Sequence, residues 1–212
     1  MQQTTYPVTL SIDYPDRPLN RLTSFFRIFV AIPILILLGT ITSQSQSFQS
    51  SGASRGVSYS AVGAGILFLP PLLMILFRQK YPRWWFDWNL QFLRFGTRIG
   101  VFLALMDDTY PSTDEEQSVH LDLSYPDVPQ DLNRWLPLVK WILAIPHYIV
   151  LFFLYIAAVI CVIIAWFAIL FTGRYPQGLF NFVEGVIRWH LRVAGYALVL
   201  VTDAYPPFSL AP

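Results

Sequence analysis

The stretch that decides the fold is residues 141–171, WILAIPHYIVLFFLYIAAVICVIIAWFAILF, which run for 31 residues without a Lys, Arg, Asp or Glu. One crossing of the hydrocarbon core of a bilayer needs only about 20 apolar residues. As one straight helix with a rise of about 1.5 Å per residue, the stretch would be about 46 Å long. Two interpretations therefore stay open: a hairpin of two crossings with a turn near Ala157 and Ala158, or one long tilted helix.

The composition of the whole chain agrees with this membrane signature. Of the 212 residues, 55% are hydrophobic and 13% are charged, whereas a soluble domain carries about 25% charged residues. This balance excludes a disordered chain and a typical soluble enzyme, because so few charges cannot cover a water-exposed surface. The net charge of +1 gives no basic patch for nucleic acid. The sequence therefore predicts an integral membrane protein.

The chain repeats itself. Residues 8–16 read VTLSIDYPD and residues 119–127 read VHLDLSYPD, while ILFRQKYPRWWF at 75–86 aligns with ILFTGRYPQGLF at 169–180. Similar segments that recur in the same order along a chain indicate a repeated structural unit. We predict two repeats, residues 5–112 and 118–208, separated by a charged linker.

Each repeat is predicted to contain a strand, two transmembrane helices, an interfacial amphipathic helix and a second strand. The alternating pattern of residues 8–12 and 119–123 favours strands, and the apolar segments favour membrane-spanning helices. The fold class is thus a membrane α-helical protein with small β additions and about four transmembrane helices. The predicted spans are 22–39, 61–77, 134–154 and 157–172; the interfacial helices are 83–99 and 177–192; the second strands are 101–106 and 197–201. We expect the first and second strands of each repeat to pair.

The charges predict the topology of these crossings. If each repeat crosses twice, the polar loop at residues 43–60 and a turn in the second repeat lie on one side, and both termini lie on the other. Thirteen of the 14 Lys and Arg residues, all but Arg55, then share the side of the termini. The positive-inside rule makes that side the cytoplasm.

A set of basic and tryptophan residues is predicted to lie at the membrane interface, because their side chains combine an apolar body with a polar or charged end. Arg27 and Lys140 occupy equivalent positions in the two repeats; they either reach lipid headgroups or pair with an acid. The full set is Arg27, Lys140, Trp84, Trp85, Trp88, Arg94, Arg98, Arg188 and Arg192.

His147 is the candidate for a cofactor-binding residue, since it follows Pro146 inside the apolar segment and an ionisable group there is a functional candidate. Three interpretations stay open: a histidine satisfied by a backbone carbonyl that the proline frees, an axial ligand of haem or chlorin, or a group that handles protons or a solute. The common nucleotide, metal and nucleophile motifs do not occur. No catalytic residue, metal or cofactor is predicted.

The motifs YPD, NRL or NRW, AIP or AIPH, RYP and the closing D-x-YPPF are shared with a known family. They make the chain resemble, in two tandem copies, the bacterial membrane proteins catalogued as domain of unknown function 4389. The resemblance implies a multi-pass protein of the bacterial cytoplasmic membrane with no assigned activity. The first repeat departs from the pattern at Ile34, where the second has His147.

These features favour a non-enzymatic scaffold or accessory subunit of a larger membrane complex, with lipids and other membrane subunits as partners. A small-solute or lipid transporter is the alternative, because duplicated halves with proline-broken crossings recur in transporters. A pigment- or haem-binding subunit, through His147, is the third hypothesis.

Overall fold

The computed structural model describes residues 6–42, 64–113 and 115–211, which are mostly helical. The predicted polar loop at 43–60 and the first residues of the span at 61–77 lie outside these ranges. The elements are β1 (Val8–Ile12), α1 (Arg21–Phe25), α2 (Arg27–Thr42), α3 (Ala64–Arg78), α4 (Arg83–Leu103), β2 (Val119–Leu123), α5 (Val128–Asp131), a 3₁₀ turn (Leu136–Leu138), α6 (Lys140–Leu143), α7 (Ile145–Thr172), α8 (Gln177–Ala194) and a π-helical turn (Gly195–Val199).

The sheet consists of β1 and β2, which pair antiparallel with Leu10 opposite Leu121. In both strands buried and exposed residues alternate, as expected for a sheet with one face on a core and one in water. The helices α4 and α8 pack on the buried face. Its residues join Phe86 of α4 and Phe180 of α8 in the main core.

The predicted pairing of two strands within each repeat is wrong for the described residues, where the first strands of the two repeats pair with each other. Residues 101–103 belong to α4, and residues 197–199 belong to the π-helical turn. No proline lies in residues 83–106 or 177–201, so each helix continues into its apolar run and buries it. The chain leaves the helical path at Leu105 and Leu200, whose φ angles are 63° and 61°.

The second apolar segment is one helix, α7, of 28 residues, which passes Ala157 and Ala158 without a turn. Of the two interpretations left open, the hairpin is therefore wrong. Between Tyr148 and Phe171 the sequence holds no Gly, Pro, Ser, Asn or Asp, the residues that turns require. The helix ends at Gly173, which has a left-handed φ of 75° and donates its N–H to the carbonyl of Ile169.

The expectation of about four spanning helices is also corrected. In the part of the chain that the structure describes, α7 is the one helix long and apolar enough to cross a membrane. The apolar helices α2 and α3 have 16 and 15 residues, fewer than the roughly 20 that a crossing needs. By length and composition, residues 6–42, 64–113 and 115–211 thus contain one candidate span.

Tyrosine hydroxyl groups connect the two halves through matching bonds. Tyr14 donates to the carbonyl oxygen of Tyr175 at 2.5 Å, and Tyr125 donates to that of Tyr81 at 2.5 Å. The ring of Tyr14 meets Phe180 edge to face at 5.1 Å, and the ring of Tyr125 meets Phe86 in the same way at 5.1 Å. In the sequence, Tyr14 and Tyr125 each begin a YPD motif, and Tyr81 and Tyr175 lie in the similar stretches 75–86 and 169–180.

Candidate functional site

Two buried ion pairs lie at the starts of the apolar segments. Arg27 Nη2 lies 2.5 Å from Asp108 Oδ1, and Lys140 Nζ lies 2.7 Å from Asp203 Oδ1. The side chains of Arg27 and Lys140 are 3% and 0% exposed. The other carboxylate oxygen accepts a backbone N–H in each case, from Asn20 for Asp108 and from Asn133 for Asp203. Each acid thus fastens the chain beyond α4 or α8 to the beginning of an apolar segment.

The surroundings of the two cations are aromatic. The guanidinium of Arg27 lies 4.1 Å from the centre of the Phe102 ring, and the ammonium of Lys140 lies 5.1 Å from that of Tyr196. Burial lowers the pKa of Lys140, and the nearby Asp203 offsets only part of this effect. Of the two roles predicted for Arg27 and Lys140, the structure shows the pairing with an acid. Contact with lipid headgroups stays a prediction.

Three of the four arginines predicted to face headgroups are buried, and all four donate to backbone carbonyls. Arg94 Nε donates to Leu121 at 2.8 Å, and Arg188 Nε donates to Leu10 at 3.0 Å. Arg98 and Arg192 are bonded to the carbonyls of Ser112 and Ser209, at 2.8 and 3.5 Å. These side chains hold α4 and α8 on the sheet, because each fastens its helix to β1, β2 or the segment beyond.

The predicted interface tryptophans lie at the beginning of α4. Trp84 and Trp88 are 69% and 43% exposed, whereas Trp85 is partly buried. The ring of Trp88 stacks on Trp85 at 5.4 Å and on Phe92 at 5.4 Å. An exposed indole with an apolar body suits the boundary between lipid and water. The placement of Trp84 and Trp88 is compatible with the predicted interfacial role, which the structure does not test.

His147 is buried in an aromatic cluster. Its Nδ1 accepts a hydrogen bond from the indole N–H of Trp189 at 3.1 Å, and its ring stacks on Phe208 at 4.0 Å. Tyr205 covers the ring with a centre distance of 4.8 Å. Among the described residues, Nε2 is buried without a hydrogen-bond partner. The ring is thus satisfied on one nitrogen by Trp189, rather than by the carbonyl that Pro146 frees.

This geometry does not suit an axial ligand. A haem or chlorin metal needs a ring nitrogen whose lone pair faces open space. The lone pair of Nδ1 accepts from Trp189, so the proton of the neutral ring lies on Nε2. Phe208 stacks on the ring at 4.0 Å. The contacts of His147 therefore favour the structural interpretation over the cofactor one.

An apolar cavity of about 640 Å³ lies between α4, α7 and α8, with Leu38 of α2 at its edge. Its size falls within the range of about 300–1,000 Å³ that is usual for small-molecule sites. Gly96 and Gly100 of α4 line it, and an added Cβ at either position would meet no heavy atom within 4 Å. The hydroxyl of Thr97 already donates to the carbonyl of Leu93. The cavity thus suits an apolar occupant.

Sequence reasoning did not find two of these features. It gave no role to Tyr14 and Tyr125, whose hydroxyl groups bond across the two halves. It did not connect His147 to Trp189, which lies 42 residues away. The YPD motif that both halves contain was the available signal for the tyrosines, whereas Trp189 has no such signal. Within the described ranges, no three His, Cys, Asp or Glu residues are placed to hold a metal.

Comparison with known proteins gives one finding. The family model described as "Domain of unknown function (DUF4389)" matches residues 135–209. No curated protein and no solved structure is significantly similar to the chain. The match supports the resemblance for one copy, in the second half, where it covers α6, α7 and α8. In that half the chain is similar to a family that has no assigned function.

Proposed function

We propose that the chain is a membrane protein that acts as a non-enzymatic scaffold or accessory subunit of a larger membrane complex. The observation that carries this proposal is the surface of α7, where only five of 28 residues are buried. Phe152, Phe153 and Phe171 are 62%, 64% and 78% exposed. A soluble monomer rarely exposes so long an apolar surface, and such surfaces mark contact with lipid or with another protein.

The first half adds to the same surface. Ile28, Phe29 and Ile36 of α2 are 74%, 69% and 61% exposed. Leu38 of α2 and Val159 of α7 line the same cavity, which supports a common apolar surface for the two helices. We call the exposed apolar residues of α2 and α7 the apolar face. A large apolar face and a rigid, cross-bonded body suit a protein that positions other subunits.

Two finer statements belong to this proposal. The two halves are tandem copies of one unit, which the matching tyrosine and arginine bonds support. The protein resides in the bacterial cytoplasmic membrane, as the family resemblance implies. The charge distribution predicted a multi-pass topology with both termini in the cytoplasm, but that topology needs more than one crossing, and the described residues contain one candidate span.

The test is purification of the tagged full-length chain from washed membranes in a mild detergent. We expect the chain to copurify with at least one membrane protein in a fixed ratio. Phe152→Ala should reduce that ratio without changing the yield of chain, because Phe152 is exposed and contributes little to the core. Trp135→Ala is the matched control, since Trp135 is 65% exposed and lies outside the apolar face. A stable monomer with no copurifying protein contradicts the scaffold role.

The cavity supports a second candidate, a lipid-handling or transport protein. Gly96→Leu should fill the cavity without a clash, because an added Cβ has open space there. Gly178→Leu is the control, since Gly178 also has open space but does not line the cavity. Transfer of a fluorescent phospholipid between vesicles that falls in Gly96→Leu alone would favour lipid handling over the scaffold role.

The third hypothesis, a pigment or haem bound through His147, has a direct test. The visible absorption spectrum of the purified chain is recorded for the native sequence and for His147→Leu. A visible band that depends on His147 would support a bound pigment. The contacts of the ring with Trp189 and Phe208 lead us to expect no such band.

A further inference from the structure

We propose that α7 lies along one leaflet of the bilayer rather than across it, with the apolar face in lipid and the outer face of the sheet in water. This inference rests on the proposed membrane location, and it replaces the predicted crossings by in-plane attachment. It depends on the direction of α7 relative to the sheet. The steps below follow the contacts from α7 through α8 to β1.

Helix α8 runs back along α7. Near the beginning of α7, Leu151 packs with Val193, which lies near the end of α8. Near the middle of α7, Val162 lines the same cavity as Val183. The tight connection at Gly173 reverses the chain between the two helices. The two axes are therefore roughly antiparallel over the length of α8.

Strand β1 lies alongside α8 in turn. The backbone N–H of Ile12 donates to Oε1 of Glu184, and the carbonyl of Leu10 accepts from Arg188. At the other end of the strand, a Cβ added at Gly195 would lie 2.7 Å from a methyl carbon of Val8. One end of β1 is thus in contact with α8, and the other with the π-helical turn that directly continues α8. The sheet, α8 and α7 form three layers with similar directions.

These contacts place the end of β1 level with the middle of α7. Ile12 contacts Glu184, and the neighbouring Val183 shares a cavity with Val162, close to the centre of the 28-residue helix. Asp13 directly follows Ile12 and therefore lies at the same height along α7. On the outer face of the sheet, its Oδ2 lies 2.9 Å from Nε2 of His120. Their side chains are 66% and 56% exposed.

The two orientations differ in the energetic cost of the charged residues on the outer face of the sheet. If α7 stood across the bilayer, the exposed Asp13 would lie near its centre, where a charged residue costs about 2.5–3.5 kcal/mol. Asp122, 78% exposed on the same face, would lie at membrane depth as well. With α7 in the plane of the membrane, both carboxylates stay in water, and the apolar face is still transferred from water into lipid. The in-plane orientation is therefore favoured.

Length supports the same orientation. At about 1.5 Å per residue, α7 is about 42 Å long, against about 30 Å for the hydrocarbon core. A helix in the interface has no such length limit. Its five buried residues recur at spacings of four and seven, which places them on one side of the helix and leaves the opposite side for lipid. We therefore place the apolar face in the acyl region of the bilayer, where it also meets the membrane protein of the proposed complex.

The experiment measures membrane depth at three exposed positions along α7. Ile149, Ile160 and Phe171 are each more than half exposed, so a cysteine there leaves the core unchanged. Each is introduced singly into a Cys161→Ala background, since Cys161 is the single native cysteine. The cysteines carry a nitroxide, in vesicles of phosphatidylethanolamine and phosphatidylglycerol. The accessibility of the nitroxide to oxygen and to a water-soluble nickel complex then reports its depth. Ser11→Cys on the outer face of the sheet is the water-exposed control.

We expect the three labels on α7 to lie at one depth, within about 10 Å of the headgroup boundary, and the label at Ser11 to be in water. A deep label at Ile160 between two shallow labels overturns the inference, because a spanning helix separates Ile149 from Phe171 by about 33 Å along the bilayer normal. Such a result leaves the membrane location intact. Failure of the unlabelled chain to bind the vesicles overturns that location as well.

Discussion

In the first half of the chain the apolar segment that starts at Arg27 is divided into α2 and α3, whereas in the second half it is the single helix α7. The bonds around these segments are nearly the same in both halves. An acid holds the first cation of each segment, and a tyrosine of each half bonds to the other. The bonds that join the two halves therefore depend on the shared motifs, while the apolar segment varies between them.

The two ion pairs differ in one chemical respect. Arginine stays charged at any pH at which proteins fold, whereas a buried lysine can lose its proton. Arg27 is held by Asp108, and Lys140 is held by Asp203. Removing either acid leaves a buried cation without its carboxylate, so these substitutions have the largest expected effects.

Asp108→Ala should lower the free energy of unfolding by about 3–5 kcal/mol, the usual result of breaking one partner out of a buried pair. Asp203→Ala should lower the free energy of unfolding by less, because burial already lowers the pKa of Lys140 and the lysine side chain can become neutral. Thermal unfolding in detergent, followed by tryptophan fluorescence, measures both. Equal losses in the two variants would contradict this difference.

The pH dependence sharpens the contrast. In Asp203→Ala the folded-state pKa of Lys140 lies below its unfolded value, so between the two values the unfolded chain binds a proton that the folded chain does not. The free energy of unfolding then rises with pH in that window, up to the unfolded pKa near 10.4. Raising the pH from neutral to about 10 should recover part of the loss in Asp203→Ala and none in Asp108→Ala.

Alanine substitutions at two glycines, near the ends of α4 and α8, should change the stability in opposite directions. A Cβ at Gly195 would lie 2.7 Å from a methyl carbon of Val8, whereas a Cβ at Gly100 meets nothing within 4 Å. Gly195→Ala should destabilise the protein by about 1–3 kcal/mol, as overpacking does. Gly100→Ala should be neutral or stabilise by up to about 1 kcal/mol, because alanine favours the helix. The same unfolding assay measures both, and a stable Gly195→Ala would contradict the packing of α8 on β1.

The tyrosine bonds test whether the halves are equivalent. Tyr14→Phe and Tyr125→Phe each remove one donor to a carbonyl of the other half. Each should lower the free energy of unfolding by about 0.5–1.5 kcal/mol, the usual net value of a hydrogen bond. Tyr148→Phe, at an exposed tyrosine of α7, is the control. Losses that differ by more than a factor of two between Tyr14→Phe and Tyr125→Phe would show that the bonds are not equivalent.

The periodicity of the sequence predicted those elements that carry a single clear pattern. The strands at Val8–Ile12 and Val119–Leu123 alternate strictly, and α4 and α8 carry polar stripes at helical spacing, so all four were predicted. The partner of each strand was missed, because alternation defines a buried face and does not say which strand lies beside it. The direction of Arg188 was missed for a similar reason. A polar stripe can face water or backbone carbonyls, and only the packed sheet decides between them.

The smallest expected effect comes from a charge pair that the second half lacks. Arg83 and Asp87 lie 3.7 Å apart on the exposed surface of α4, and the aligned residues of α8 are the neutral Gln177 and Asn181. Since exposed ion pairs contribute little, the double variant Arg83→Gln, Asp87→Asn should change the free energy of unfolding by less than about 0.5 kcal/mol. The salt dependence of its unfolding should also be the same as that of the native chain. A larger loss would mean that this end of α4 binds a charged partner, as the exposed Trp84 beside it would allow.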